Sequence, residues 1–106
     1  MDWILLIIAG VLEIGWAVGL KHTDGFTRLL PTVWTVAAMI ASIVMLALAL
    51  KTIPVGTGYA VWTGIGAAGT AIVGIVLFAE PATVLRLGCI ALILAGVVGL
   101  KFASPQ

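Results

Sequence analysis

Charged residues are scarce in this sequence. Only 8% of its 106 residues are Asp, Glu, Lys or Arg, whereas 63% are hydrophobic, and the mean hydropathy is +1.33. Soluble domains typically contain about 25% charged residues, so the composition excludes an ordinary soluble domain. Apolar runs long enough to cross a bilayer, about 17–25 residues each, account for nearly the whole chain. The composition therefore predicts an all-α integral membrane protein without a soluble domain.

A strong charge of one sign is also missing. The net charge is +1 and the five basic residues are scattered, so there is no basic patch that would indicate nucleic-acid binding. The single cysteine, Cys89, lies in an apolar stretch and cannot form an intrachain disulfide, so we expect a buried, inert thiol. The sequence contains no nucleotide-binding motif. We expect no metal, no cofactor and no enzymatic activity.

Glycine, proline and charged residues divide the chain into four candidate transmembrane helices. We expect them at about residues 2–20, 29–50, 55–78 and 84–101 of a single domain comprising residues 1–106. The first segment lacks the basic region of a signal peptide, so we expect it to remain as a helix. The fourth apolar run is short, and this helix either begins nearer residue 82 or lies in a thinned bilayer.

The basic residues give almost no preference for one orientation in the membrane. An even number of spans places both termini on one side, together with Lys51 and Lys101. The opposite side has three basic residues: Lys21, Arg28 and Arg86. Because two against three is hardly a positive-inside bias, the chain is predicted to insert in both orientations.

One carboxylate, Glu13, interrupts the first apolar run, DWILLIIAGVLEIGWAVGLK. At 1.5 Å per residue it lies about 16 Å deep, near the middle of a hydrocarbon core about 30 Å thick. An acidic side chain there is unfavourable by a few kcal/mol. All five basic residues lie near span ends, so Glu13 is either protonated or paired with a cationic ligand. The alternative is a permanently protonated glutamate that only donates a hydrogen bond to another helix.

Two neighbours on the first helix lie one turn from this carboxylate. Trp16 is on the same helix face and is a candidate site residue, while Gly10 would leave room beside the carboxylate. On the second helix, Ser42 is the candidate polar residue, although serine in such helices often bonds backbone. If Ser42 faces the site, two flanking residues could line a gap between the site and the lipid: Met39 and Ile43.

The third helix combines aromatic and small residues along one stripe. Tyr59 and Trp62 are one turn apart; a tyrosine hydroxyl can bond a carboxylate, and an indole can stack on a flat cation. Thr63 is a further candidate for the cavity lining. Gly64 and Gly66 mark a possible bend. A stripe that serves only helix packing is the alternative.

The fourth helix carries two glycines eight positions apart, Gly88 and Gly96. Small residues on one face allow a partner helix to approach closely. A homodimer formed in this way would bring two copies of Glu13 together and complete a site.

These stretches together resemble the small multidrug resistance transporters, in particular their guanidinium-exporting subtype. The resemblance covers essentially the whole chain. It rests on four motifs: EIGW around Glu13, GLKHTDGFTR after the first helix, KTIPVGTGYAVWTGIGAAG in the third and GCIALILAGVVGLK in the fourth. Trp16, the GLK ending and the WTGIG run favour the guanidinium subtype over the broad drug-exporting subtype.

The resemblance implies an antiparallel homodimer of four-helix subunits in the bacterial cytoplasmic membrane. The first three helices of both subunits would line the site, and the fourth would dimerise. The essential glutamate of the family matches Glu13. The polar and aromatic residues that surround it match Trp16, Ser42, Tyr59 and Trp62, and the bend of the third helix matches Gly64 to Gly66.

The expected activity is proton-coupled export of guanidinium, related guanidinyl compounds and small alkylated quaternary ammoniums. The expected partners are a second copy of the chain, membrane lipid, protons and these cations. One alternative from the same family is an exporter of bulky quaternary ammonium or aromatic cations. An alternative outside the family is a structural membrane protein that transports nothing. A channel is a third possibility.

Overall fold

The computed structural model describes residues 2–103, which form four helices and no strand. The helices are α1 (Asp2–His22), α2 (Leu29–Ala49), α3 (Val55–Leu77) and α4 (Val84–Ala103). All four are long and apolar enough to cross a membrane. The predicted all-α membrane class is therefore confirmed.

The helices begin where the apolar runs predict, and two of them extend further than expected. α1 continues through His22, and α4 continues through Ala103. The 20 residues of α4 span about 30 Å at 1.5 Å per residue, which matches the hydrocarbon core. The alternative start nearer residue 82 is wrong, because α4 begins at Val84; a thinned bilayer around this helix stays a prediction.

The central element of the subunit is α1, which packs against both α2 and α3. α4 packs mainly against α3, and Nζ of its Lys101 lies 4.8 Å from the ring centroid of Trp3 on α1. The core cluster is small and lies between the first three helices: Leu6, Ala9, Leu46, Ala49, Ile53, Val61 and Trp62. Many large apolar side chains are instead exposed on the outer surface. This distribution suits a membrane protein, because lipid tails are as apolar as the side chains that face them.

The outer face of α4 is open. Ile90 is the one buried residue of this helix, and a Cβ atom added at Gly88 or Gly96 would meet nothing within 4 Å. Cys89 is exposed at the surface of the subunit. The expectation of a buried thiol is therefore wrong for the single subunit, because no other helix covers this side of α4.

Candidate functional site

The Glu13 side chain lies directly against the backbone of α3. A Cβ atom added at Gly66 would overlap the Glu13 carboxylate, so the absence of a side chain at residue 66 is what admits the acidic group. The residue is half-buried. Its Oε1 atom is buried and has no hydrogen-bond partner within residues 2–103. Over the same range, the one ion pair joins Arg86 to Glu80, so no cationic side chain neutralises Glu13.

An open cavity of about 410 Å³ adjoins this carboxylate. It runs between α1 and α3 and reaches the connection between α3 and α4. Two lining residues belong to α1, five to α3, and two lie in or after the connection: Glu13, Ala17, Thr63, Gly66, Ala67, Thr70, Ala71, Glu80 and Arg86. The structure thus places Thr63 and Gly66 beside the cavity that Glu13 faces.

Ser42 ties three helices together. Its side chain is fully buried. Its hydroxyl donates to the carbonyl oxygen of Ala9 at 2.7 Å and accepts from Nε1 of Trp62 at 2.9 Å. The serine therefore bonds the backbone of a neighbouring helix and not that of its own. Within one subunit, the hydrogen bonds of Ser42 therefore link α1, α2 and α3.

A double-mutant cycle tests this hydrogen bond. Ser42→Ala removes the acceptor and Trp62→Phe removes the donor while keeping an aromatic ring. Hydrogen bonds between membrane helices average about 0.6 kcal/mol, so we expect a coupling free energy of about that size. Reversible unfolding of the reconstituted or detergent-solubilised protein gives the four free energies. Additive effects of the two substitutions would contradict the bond.

The aromatic residues predicted for the site do not line this cavity in the single subunit. Tyr59 is 56% exposed, and its ring centroid lies 5.7 Å from that of Trp62. It precedes Gly66 by seven positions, which is about 10 Å along α3. Trp16 is half-buried, and its Nε1 atom is buried without a hydrogen-bond partner in the described part of the chain. The expectation that Tyr59 faces Glu13 stays a prediction.

Three other predicted positions lie away from this cavity. Gly10 is buried, and a Cβ atom there would come within 2.8 Å of the Ile65 side chain. Gly10 therefore permits α1 and α3 to approach closely, which corrects the expectation that it leaves room beside the carboxylate. Met39 is half-buried and Ile43 is exposed on α2, so the proposed gap toward the lipid remains a prediction.

The two glycines predicted to bend α3 have packing roles in the subunit. The helix runs without interruption from Val55 to Leu77. A Cβ atom at Gly64 would come within 2.6 Å of Val97 on α4, while Gly66 admits Glu13. A bend at these residues stays a prediction.

Sequence reasoning did not select Thr70, Glu80 and Arg86 as cavity residues. Thr70 could have been found, because it continues the stripe of Thr63 and Gly66 along α3 at helical spacing. Glu80 and Arg86 could not have been found from the sequence, because they reach the cavity only through the turn that follows α3.

Fold and site together define a small integral membrane protein with a mid-span carboxylate that opens onto a cavity. The family model described as Small Multidrug Resistance protein matches residues 1–93. The chain belongs to the small multidrug resistance family, and the resemblance drawn from its motifs is confirmed. Together with the four apolar spans, this family places the chain in the bacterial inner membrane as a multi-pass protein.

The chain is also similar over nearly its full length to several named proteins. It is 61% identical to a protein of Escherichia coli K12 named guanidinium exporter, over 104 residues that cover 98% of this chain and 99% of the relative. Guanidinium exporters of Citrobacter freundii and Salmonella typhimurium are each 60% identical over the same shares. These relatives are named as exporters and not as enzymes.

Proposed function

We propose that this protein exports guanidinium and related small cations in exchange for protons. The observation that supports this most directly is the Glu13 carboxylate, which faces a cavity and has no cationic partner within residues 2–103. The guanidinium exporters that are 60–61% identical to the chain support the substrate class. No step of this exchange requires an enzymatic reaction.

The chemistry of the ligand suits this carboxylate. Guanidinium is planar and carries N–H donors around its edge, which match the two oxygens of a carboxylate. A proton and the cation compete for the same group, because only the ionised carboxylate attracts the cation. Protons that bind from the outer side therefore release the cation there, and the protonated protein returns, releases its protons inside and binds the next cation.

The proposed working unit is an antiparallel homodimer. The nearly balanced basic residues on the two sides of the membrane support insertion in both orientations. The open face of α4, with Gly88 and Gly96, offers a surface for a second copy. In such a dimer, the ring of Tyr59, which is exposed in the single subunit, is available to a site formed between the subunits.

Transport by the purified protein in liposomes tests the function. We expect saturable uptake of radiolabelled guanidinium when the vesicle interior is more acidic than the exterior, and loss of uptake when nigericin abolishes the pH gradient. Flux that does not saturate would indicate a channel, and absence of flux would indicate a structural protein. An alkylguanidine should compete, whereas competition by a rigid polyaromatic dication would favour the multidrug alternative.

A reporter fused to the C-terminus tests the topology. Because the basic residues are nearly balanced, we expect the reporter on both faces of the membrane. Two lysines added beside Lys51 should bias insertion toward one orientation and reduce transport. Coexpression with an oppositely biased copy should restore transport. A single orientation combined with full activity would contradict the antiparallel dimer.

A further inference from the structure

The cavity has a second carboxylate at its far end. Glu13 lies against Gly66, whereas the Glu80 carboxylate lies against Gly74, where an added Cβ atom would come within 2.5–2.9 Å of its carboxylate atoms. Gly74 follows Gly66 by eight positions, so the two carboxylates are separated by about 12 Å along the axis of α3. Both line the same cavity.

The turn after α3 directs Glu80 back along that helix. The carbonyl oxygen of Gly74 accepts from the backbone N–H of Phe78 at 3.0 Å and from that of Glu80 at 3.2 Å. Between these two residues, Ala79 has a φ of +54°, a left-handed conformation that disfavours residues with a Cβ atom by about 1 kcal/mol. This reversal, together with the missing side chain at Gly74, turns the carboxylate back toward α3 and the cavity.

Arg86 holds Glu80 through a single contact. The hydroxyl of Thr83 accepts from the backbone N–H of Arg86 at 3.1 Å and so caps the start of α4. Nη2 of Arg86 then donates to Oε1 of Glu80. The Nε atom of Arg86 is buried and has no hydrogen-bond partner within the described residues. The guanidinium group of the protein therefore uses only part of its donor set on this carboxylate.

This ion pair is suited to exchange. The side chains of Arg86 and Glu80 are 36% and 40% exposed, and partly exposed pairs contribute little, about 0–1 kcal/mol. Lys21, at the end of α1, is engaged elsewhere, because its Nζ lies 5.2 Å from the ring centroid of Phe78. A soluble cation that enters the cavity therefore competes with Arg86 for Glu80.

Thr70 supplies a polar group between the two carboxylates. It lies four positions after Gly66 and four before Gly74, on the same face of α3. Its hydroxyl is buried and has no hydrogen-bond partner in residues 2–103. The remaining α3 residues of this stretch of the cavity are small, Ala67 and Ala71, and leave space for a ligand beside Thr70.

We propose that the Glu80 end of the cavity is a second, weaker binding site for guanidinium-type cations. In this site the ligand displaces the Arg86 side chain from the Glu80 carboxylate. The ligand class rests on the proposed function. The geometry supports this class because the contact that Arg86 makes with Glu80 is itself a guanidinium–carboxylate contact. While no ligand is bound, Arg86 neutralises Glu80, and Thr70 lies on the path toward Glu13.

Titration of the Glu13→Gln variant, in which the mid-membrane carboxylate is removed, tests this second binding site. NMR signals of the arginine Nε–H groups are followed in detergent micelles or bicelles while guanidinium chloride is added, with potassium chloride at equal ionic strength as the reference. We expect a saturable shift of the Arg86 signal at concentrations well above those that saturate the wild type. The signal of Arg28, the other arginine, should not shift. Absence of a saturable Arg86 shift would overturn the proposal.

A second carboxylate substitution locates the ligand. Glu80→Gln in the Glu13→Gln background should abolish the Arg86 shift. Asp24→Asn in the same background is the matched control, because Asp24 is an exposed carboxylate in the loop on the same side of the membrane. The control should keep the shift. An undiminished shift in the Glu80→Gln variant would overturn the proposal.

Transport by the single variant Glu80→Gln gives an independent measurement with Glu13 intact. We expect its KM for guanidinium to rise several-fold while Asp24→Asn keeps the wild-type value. An unchanged KM, together with no Arg86 shift, would contradict the second binding site. If the wild type still transported guanidinium, the proposed function would stand. If the wild type transported no guanidinium, the proposed function would fail, and the Arg86 titration would still decide whether the cation binds at Glu80.

Discussion

Glu13→Gln is expected to abolish guanidinium transport while the protein still inserts and dimerises. Glutamine keeps the shape of the side chain against Gly66 but carries no charge and releases no proton at any working pH. Removal of one partner from a desolvated charge pair costs about 3 kcal/mol, which corresponds to about a hundredfold in affinity. We therefore expect no binding in the concentration range that saturates the wild type and no exchange with protons.

Proteoliposome uptake and equilibrium binding measure this loss, and chemical crosslinking checks the dimer. Glu13→Asp is the conservative control, because it retains an ionisable group but withdraws it by one methylene from the cavity. It should keep partial transport with a shifted pH profile. Transport by the glutamine variant at the wild-type rate would remove the basis of the proposed mechanism.

Gly66→Ala is expected to reduce transport about tenfold or more with the fold preserved. The added methyl group would occupy the space in which the Glu13 carboxylate lies. A carboxylate at the end of a flexible side chain can move aside, and alanine favours a helix over glycine by about 1 kcal/mol, so we expect no unfolding. The displaced carboxylate would lose about 1.4 kcal/mol or more of its interaction with the cation, which corresponds to a factor of ten.

Gly56→Ala is the matched control for this prediction. Gly56 lies in the same helix, and a Cβ atom there would meet nothing within 4 Å. Its transport rate should equal that of the wild type, since the substitution changes helix propensity but not the cavity. Equal transport by the two alanine variants would show that the position of Glu13 against Gly66 does not matter for function.

The four helices and the choice of Glu13 as a functional candidate could be predicted from the amino-acid sequence alone. The lengths of the apolar runs are set by the thickness of the bilayer, and each run is closed by charged residues, proline or glycine. The high cost of a mid-membrane carboxylate made Glu13 a functional candidate before any contact was known. Both conclusions follow from properties of single segments, which need no knowledge of how the helices pair.

The contacts of each side chain could be read only from the way in which the helices pack. The helices are apolar on nearly every side, so their periodicity does not select one buried face or one rotation about the helix axis. For that reason Gly10 was expected beside the carboxylate but packs against Ile65, and Gly66 rather than Gly10 admits Glu13. Ser42 likewise proved to bond Ala9 and Trp62 across two interfaces.

The participation of Glu80 in the cavity could be recognised only from the tertiary structure. Glu80 is separated from Glu13 by more than half of the chain, and nothing in the pattern AEPATVLR indicates that its carboxylate turns back toward α3. The reversal follows from the left-handed conformation of Ala79, a residue type that carries no turn signature. The local sequence therefore predicts a loop at this point, and only the packing of that loop against Gly74 places a second carboxylate in the cavity.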